Sequence, residues 1–292
     1  MTHPFQNEWH VVSTGTPAEA SLPPFVWLHG WGLSNGSLSK LAKLFSRDCH
    51  NRLYDLPGFG KTPMLAAGSG TRDYADQLVR ELSKPHNTLA ALTEPVVLVG
   101  HSFGARVAVQ LAANYPDKVA GVILIAGAGL RRRRSLTWKV RALSLKSMSR
   151  TARWLDSLFG TELHMRFRNK FGSRDYKTAG KLRETFVRVI NEDLVQEALN
   201  CRAPTLLLYG SEDTETPVDI GRRYEQLMPI ARLEVLEGFG HNDILERGAY
   251  QVEAHIRRFM QDCELVKSSQ TQNGSAQPST PAHPHVVSKT GS

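Results

Sequence analysis

Four aliphatic runs stand out along the chain: FVWL at 25–28, VVLVG at 96–100, VAGVILIAG at 119–127 and TLLLYG at 205–210. Each has the length of a buried strand and is bounded by turn formers. Leu233–Leu236 reads as a further strand, and Asn51–Tyr54 leads into the turn-rich Asp55-Leu-Pro-Gly-Phe-Gly60. Between these lie stretches whose apolar residues recur at helical spacing. They are Leu38–Phe45, Tyr74–Leu92 (interrupted by Pro85), Phe103–Tyr115 (ended by Pro116), Ile220–Leu227 and Tyr250–Met260. Strands alternating with helices predict an α/β fold, with a mostly parallel, doubly wound sheet. Uninterrupted apolar strands fit, because a parallel sheet is covered on both faces. Functional groups then belong at the carboxyl ends of the strands.

The alternation breaks after Leu130. Residues 131–200 show no clear strand, only amphipathic fragments around Leu143, Leu145 and Met148, then Trp154, Leu155 and Leu158. Structureless connections in compact domains seldom exceed about 12–15 residues, so this stretch is expected to be a helical lid inserted into a core spanning 1–263. The last residues, 264–292, are rich in Ser, Thr, Gln, Pro and Gly and are expected to be a disordered tail.

Charge sharpens the lid boundary. From Arg131 to Arg188 there are 17 Lys and Arg against 4 Asp and Glu, a net +13; the whole chain carries +8, which leaves −5 elsewhere. The run Arg131–Arg134 could be a solvated face, a patch for nucleic acid or an anionic membrane, or an attraction for anionic substrates or an acidic carrier. The first is what charge runs most commonly are, and no nucleic-acid partner is expected. No apolar run approaches the roughly 18 residues of a membrane span. The N-terminus lacks a basic patch followed by an apolar stretch, and Cys49, Cys201 and Cys263 are odd in number and far apart. A cytoplasmic protein with free thiols, no metal site and no transmembrane segment is expected.

The chemistry centres on Gly100-His-Ser-Phe-Gly104. A bare G-x-S-x-G is weak, but here a strand precedes it directly and a helix follows it directly. A serine on such a turn is held strained, with its hydroxyl out of the sheet and the helix N-terminus beside it. A serine hydroxyl needs a base, and after turns of this kind the acid and then the histidine follow in chain order. Asp213 lies beyond the strand Thr205–Tyr209, and His241 lies beyond Leu233–Leu236. Among eleven histidines, His10, His50, His86 and His164 are explained by surface placement; His255 sits inside the last helix, and His3, His283 and His285 near the ends. His101 adjoins the serine and points away from it, as a packed, hydrogen-bonded residue. Asp213 has rivals in Glu212, Glu215, Asp219 and Asp243. Of these, Asp243 is too near His241 in sequence, and Asp219 is expected to N-cap the helix Ile220–Leu227. For the oxyanion, the expected donors are the backbone N–H groups of Phe103 and Trp31, the latter in the loop His29-Gly-Trp-Gly32. His29 is expected to orient that loop, and His29, Gly30 and Gly32 to lie against the substrate.

His29-Gly-Trp-Gly32, Asp55-Leu-Pro-Gly-Phe-Gly60, Gly100-His-Ser-Phe-Gly104, Asp213 and Gly240-His241 fall in one order. In that order the chain resembles the α/β-hydrolase superfamily over residues 5–263. The HGWG loop looks like that of small carboxylesterases, including those that cleave pimeloyl esters in biotin synthesis. The resemblance implies a Ser–Asp–His triad, a covalent acyl-enzyme, no cofactor, and a variable lid that chooses the substrate. Dehalogenases and epoxide hydrolases of the superfamily use an Asp nucleophile, so Ser102 sets those activities aside. The lid resembles no particular member, which leaves the substrate open, since fold does not fix function.

Two phosphate-type motifs fail on inspection. Gly58-Phe-Gly-Lys-Thr62 has Asp55 where a phosphate loop needs its first glycine, and Gly127-Ala-Gly129 has Arg132 where a dinucleotide site needs its third. The expected function is ester hydrolysis of a small or medium molecule, anionic if the lid attracts it. Two alternatives stand beside it: thioester or carbon–carbon bond hydrolysis by the same triad, and a non-catalytic protein that binds an anionic ligand.

Overall fold

A computed structural model describes residues 8–15, 21–85, 90–131 and 179–273, with side chains to 263. Seven strands form one sheet: β1 (Val11–Thr14), β2 (Phe25–Leu28), β3 (Asn51–Tyr54), β4 (Val96–His101), β5 (Val119–Ile125), β6 (Thr205–Gly210) and β7 (Ala231–Leu236). Their order is β1-β3-β2-β4-β5-β6-β7, with β1 antiparallel to β3 and all other pairs parallel. The expected α/β, mostly parallel sheet is therefore present.

Helices cover both faces, and the strands show why they read as unbroken apolar runs. Alternate side chains go to opposite layers. Val26, Leu28, Leu98, Val122, Leu124, Leu207 and Tyr209 enter one buried cluster. Phe25, Trp27, Val97, Val99, Ile123, Ile125, Leu206 and Leu208 enter the other. The first layer packs under α2 (Thr71–Leu82), α3 (Phe103–Asn114), α4 (Arg183–Asn191), α5 (Val195–Asn200) and α6 (Val218–Leu227). The second packs under α1 (Ser39–Leu44), α7 (Asp243–Glu246) and α8 (Ala249–Asn273). Among the described residues no helix is long and apolar enough to cross a membrane.

Several boundaries differ from the sequence pattern, each for a local reason. Strand β1 was not expected; it is a half-exposed edge of only four residues, VVST, with no continuous apolar run. Helix α2 ends at Leu82 rather than running on to Leu92, because Pro85 disfavours helix in the residues before it. Helix α6 starts at Val218 with Pro217 as its N-cap, so Asp219 lies inside the first turn, paired with Arg222 at 2.9 Å, and is not the cap. There its charge still complements the helix dipole. Helix α8 continues to Asn273, past the tail boundary expected at 264. Its polar residues remain helix-competent until Gly274, a residue that favours helix ends.

The remainder of the expected tail, and residues 132–178 of the expected lid with Arg132–Arg134, lie outside the described residues. The described end of the insertion is helical, through α4 and α5. Arg131 and, two residues before it, Gly129 are fastened to the stretch that runs from the end of α4 into α5. The Arg131 N–H donates to Asp193 Oδ1 at 3.1 Å, the Arg131 guanidinium to the Asn191 carbonyl at 2.9 Å, and the Leu194 N–H to the Gly129 carbonyl at 3.0 Å. Arg223 in turn donates to the Arg131 carbonyl.

Candidate active site

Strand β4 hands over to α3 through Ser102, whose φ of 50° and ψ of −105° lie where few non-glycine residues go. Two things hold it there. The turn is pinned by the Ser102 N–H donating to the Ile125 carbonyl at 3.1 Å and the Ala128 N–H donating to the Ser102 carbonyl at 3.3 Å. Gly104 lets the first turn of α3 press against β2, since a Cβ there would run into the Leu28 carbonyl oxygen. Phe103 is the first residue of α3, so its N–H is one of the helix's unpaired donors beside the serine.

The loops after β6 and β7 supply the two partners. His241 Nε2 lies 2.9 Å from Ser102 Oγ, and His241 Nδ1 lies 2.7 Å from Asp213 Oδ2. A carboxylate only accepts, so Nδ1 carries the proton and Nε2 is left as the acceptor of the serine hydroxyl. Three residues expected from their places in the chain thus form one continuous line. Asp213 is 4% exposed. Burial alone would raise its pKa; the His241 bond and charge, and the donors of Thr216, overcome this and leave it below the ordinary carboxylate value.

Thr216 was not singled out from the sequence. Its N–H donates to Asp213 Oδ1 at 2.9 Å and its hydroxyl lies 2.8 Å from Asp213 Oδ2, 2.9 Å from the Ala126 carbonyl and 3.2 Å from His241 Nδ1. The signal was present in Asp213-Thr-Glu-Thr216: an aspartate followed by residues that close a turn on its side chain. The Glu215 N–H completes that turn, donating to Asp213 Oδ1 at 2.8 Å. Glu215, weighed only as a rival acid, puts Oε2 3.6 Å from His241 Nε2, the ring nitrogen that Asp213 does not bond. Asp243 is half-exposed and bonds the Gly240 N–H and Arg247 instead of the ring.

Of the other histidines, His101 follows the expectation and His10 does not. His101 is buried and donates from Nε2 to the His241 carbonyl at 3.1 Å, which ties the nucleophile turn to the histidine loop. Among the described residues its Nδ1 has no partner. Burial, then the neighbouring His241, pushes its pKa down to about 3, so it stays neutral. His10 is not a surface residue in the sense expected: half-buried, it lies 2.8 Å from Asp55 Oδ2. Asp55 also accepts the N–H groups of Asn35 and Lys61, and so knits the loop after β3 to the loop after β2. His86 and His164, and the terminal His3, His283 and His285, lie outside the described residues.

In the loop after β2, His29 is fully buried. The Leu56 N–H donates to its Nε2 at 2.9 Å, so Nδ1 bears the proton and donates to the Gly30 carbonyl at 2.8 Å. With both nitrogens used on backbone and no exposed surface, His29 cannot touch substrate; it orients the loop. Gly30 is buried too, against His101. Gly32 is exposed, with φ of 73°. The Trp31 ring meets the Phe103 ring edge-on at 5.2 Å, so the two segments expected to donate to an oxyanion pack directly on each other. Phe59 and Phe186 close round Trp31 at 4.9 and 5.0 Å. Beside it opens a cleft of about 490 Å³, lined among others by Trp31, Gly32, Phe59, Met64, Leu182 and Lys181.

The sequence matches the model of the alpha/beta hydrolase family over residues 25–254. It is 31% identical over 232 residues to the pimeloyl-[acyl-carrier protein] methyl ester esterase of Chromobacterium violaceum, which covers 72% of this chain and 84% of that one. It is 28% identical over 259 residues to the 2-hydroxy-6-oxononadienedioate/2-hydroxy-6-oxononatrienedioate hydrolase of Burkholderia vietnamiensis, covering 80% and 84%. Among solved structures, a thermophilic esterase from Thermogutta terrifontis superposes with a TM-score of 0.61 at 20% identity, over 87% of this chain and 93% of that one, a likeness of fold. A nucleophile turn, an ordered acid–base pair and a matching family model lead to one conclusion: the chain belongs to the alpha/beta hydrolase family.

Proposed function

We propose that this protein hydrolyses carboxylic esters of small or medium size through an acyl-enzyme on Ser102. The observation that carries the reading is the unbroken line from Ser102 Oγ through the His241 imidazole to the Asp213 carboxylate, at 2.9 and 2.7 Å. In this reading Oγ attacks the ester carbonyl while its proton passes to Nε2. The N–H groups of Phe103 and Trp31 receive the oxyanion. Asp213, held by Thr216, keeps the imidazole in the right tautomer and stabilises its protonated form. The tetrahedral intermediate collapses, and Nε2 returns the proton to the departing alcohol oxygen. Water then attacks the acyl group with His241 again as base, and the acid leaves. The cleft beside Trp31 takes the apolar part of the substrate, with Lys181 at its edge and residues 179–182 of the insertion as one wall.

The similarity to the Chromobacterium esterase supports an ester over other acyl groups. The Burkholderia hydrolase keeps a second reading in play, hydrolysis of a carbon–carbon bond by the same residues. A non-catalytic binding protein would have no use for a serine hydroxyl aligned on an imidazole. Substitution Ser102→Ala is expected to reduce hydrolysis of short-chain p-nitrophenyl esters by about 10⁶-fold in kcat, the scale seen where triads have been dissected. It should also abolish labelling by a fluorophosphonate probe. A variant that hydrolyses at the wild-type rate would refute the assignment, and a wild type that neither turns over esters nor takes up the probe would favour the binding protein.

A further inference from the structure

Glu215 is the acidic side chain beside the imidazole nitrogen that Asp213 does not bond, and the triad does not need it. Its Oε2 stands 3.6 Å from His241 Nε2, the nitrogen that also faces Ser102. The histidine side chain is 8% exposed and the glutamate side chain 62%. The carboxylate is therefore open to solvent while the ring beside it is nearly covered. Its backbone is fixed, because the N–H groups of Glu215 and Thr216 both donate to Asp213 Oδ1, at 2.8 and 2.9 Å. The acid that aligns the base thus also sets where Glu215 leaves the chain. Among the described residues no arginine or lysine lies within ion-pair distance of its carboxylate.

Resting on the reading of the triad above, the chemistry places the leaving group. Nε2 takes the serine proton and must hand it to the departing oxygen, so that oxygen has to come within hydrogen-bonding distance of Nε2. Any charge carried a few atoms beyond it then lies within several ångströms of Glu215. We propose that Glu215 selects the leaving group by charge: it favours esters of cationic or neutral alcohols and turns away alcohols that carry an anion near the ester oxygen. The exposed position of the carboxylate limits the effect through solvent and salt screening, to about three- to tenfold for each sign of charge.

The test uses three acetates of similar size, acetylcholine, 3,3-dimethylbutyl acetate and 2-sulfoethyl acetate, which present a cation, no charge and an anion at the same distance from the ester. Values of kcat/KM are compared for the wild type, Glu215→Gln and Glu215→Lys at low ionic strength. The wild type should prefer the cationic ester over the anionic one. In Glu215→Gln that ratio should fall about tenfold, and in Glu215→Lys it should fall further and reverse, with both effects shrinking in 0.5 M salt, a concentration of about a 4 Å Debye length. A role confined to structure would lower all three rates together and leave the ratio where it was; that result overturns the proposal while leaving the triad intact. Should the wild type turn over none of the three, and Ser102 resist a fluorophosphonate, the triad reading and the proposal fall together.

Discussion

At φ 50° and ψ −105°, Ser102 occupies backbone space that costs a non-glycine residue on the order of 1–3 kcal/mol. The surroundings have to enforce it, and Gly104 is the clearest enforcer. Any side chain there would collide with the Leu28 carbonyl, a backbone atom of the central sheet that has no room to retreat. Substitution Gly104→Ala should separate α3 from β2 and relax the serine turn. We expect a stability loss of about 2 kcal/mol or more, in the range of overpacked cores, together with loss of fluorophosphonate labelling. A denaturation midpoint within experimental error of wild type would show that the turn tolerates the methyl. The partners of Ser102 are less strained and more connected. Asp213 receives four donors, from His241, Glu215 and both groups of Thr216, so its position depends on one short turn rather than on a single bond.

Helix α2 shows how an element of the core can depend on a residue far away in the chain. Its first N–H groups need partners. Asp73 accepts the Gly70 N–H at 2.7 Å from within the helix, but the Thr71 N–H, at 3.1 Å, and the Thr71 hydroxyl go to Glu192, which follows α4. Replacing Glu192 with Ala should lower stability by about 1 kcal/mol, as loss of a helix cap does, and it should loosen α4 against the sheet at the same time. Hydrogen exchange at 71–74 and 183–191 would report both, and protection unchanged in both stretches would argue that the contact is idle. Such contacts are why some elements were legible in the sequence and others were not. Strands β2, β4, β5 and β6 announce themselves because both faces are buried and nearly every residue is apolar. Ser102, His241 and Asp213 are legible because each follows a strand in a fixed order. The edge strand β1, half-exposed, gives no such run. The His10–Asp55 pair is invisible for a different reason: its role arises from how two loops meet, which residue spacing does not encode, whereas Thr216 and Glu215 had a signal in the turn that follows Asp213.

For the molecule as a whole, four buried groups that titrate on the acid side shift the same way. His101 is pushed down to about 3 and His29 is also lowered, both first of all by burial. For Asp55, burial acts upward, but the N–H groups of Asn35 and Lys61 and the neighbouring His10 outweigh it and leave the carboxyl low. Asp213 is low as well. In every case the folded state holds its proton less tightly than the unfolded chain, so stability is greatest at neutral pH and declines on acidification. The histidine part should be lost below the ordinary value of 6.5, and the carboxylate part below 3.8. Each histidine contributes a slope of up to about 1.4 kcal/mol per pH unit. We therefore expect denaturant midpoints to fall as the pH drops below 6.5, and His101→Gln, which has nothing to titrate there, to show a shallower fall. A flat profile in the wild type would mean that both histidines accept protons while folded.

The clasp formed by Arg131, Asn191, Asp193 and Arg223 has a bearing on ancestry and engineering. Arg131 is tied to Asn191 and Asp193 whatever the length of chain between them, so that length can change without moving these anchors. Doubling the length of such a segment costs only about 0.6 kcal/mol of closure entropy.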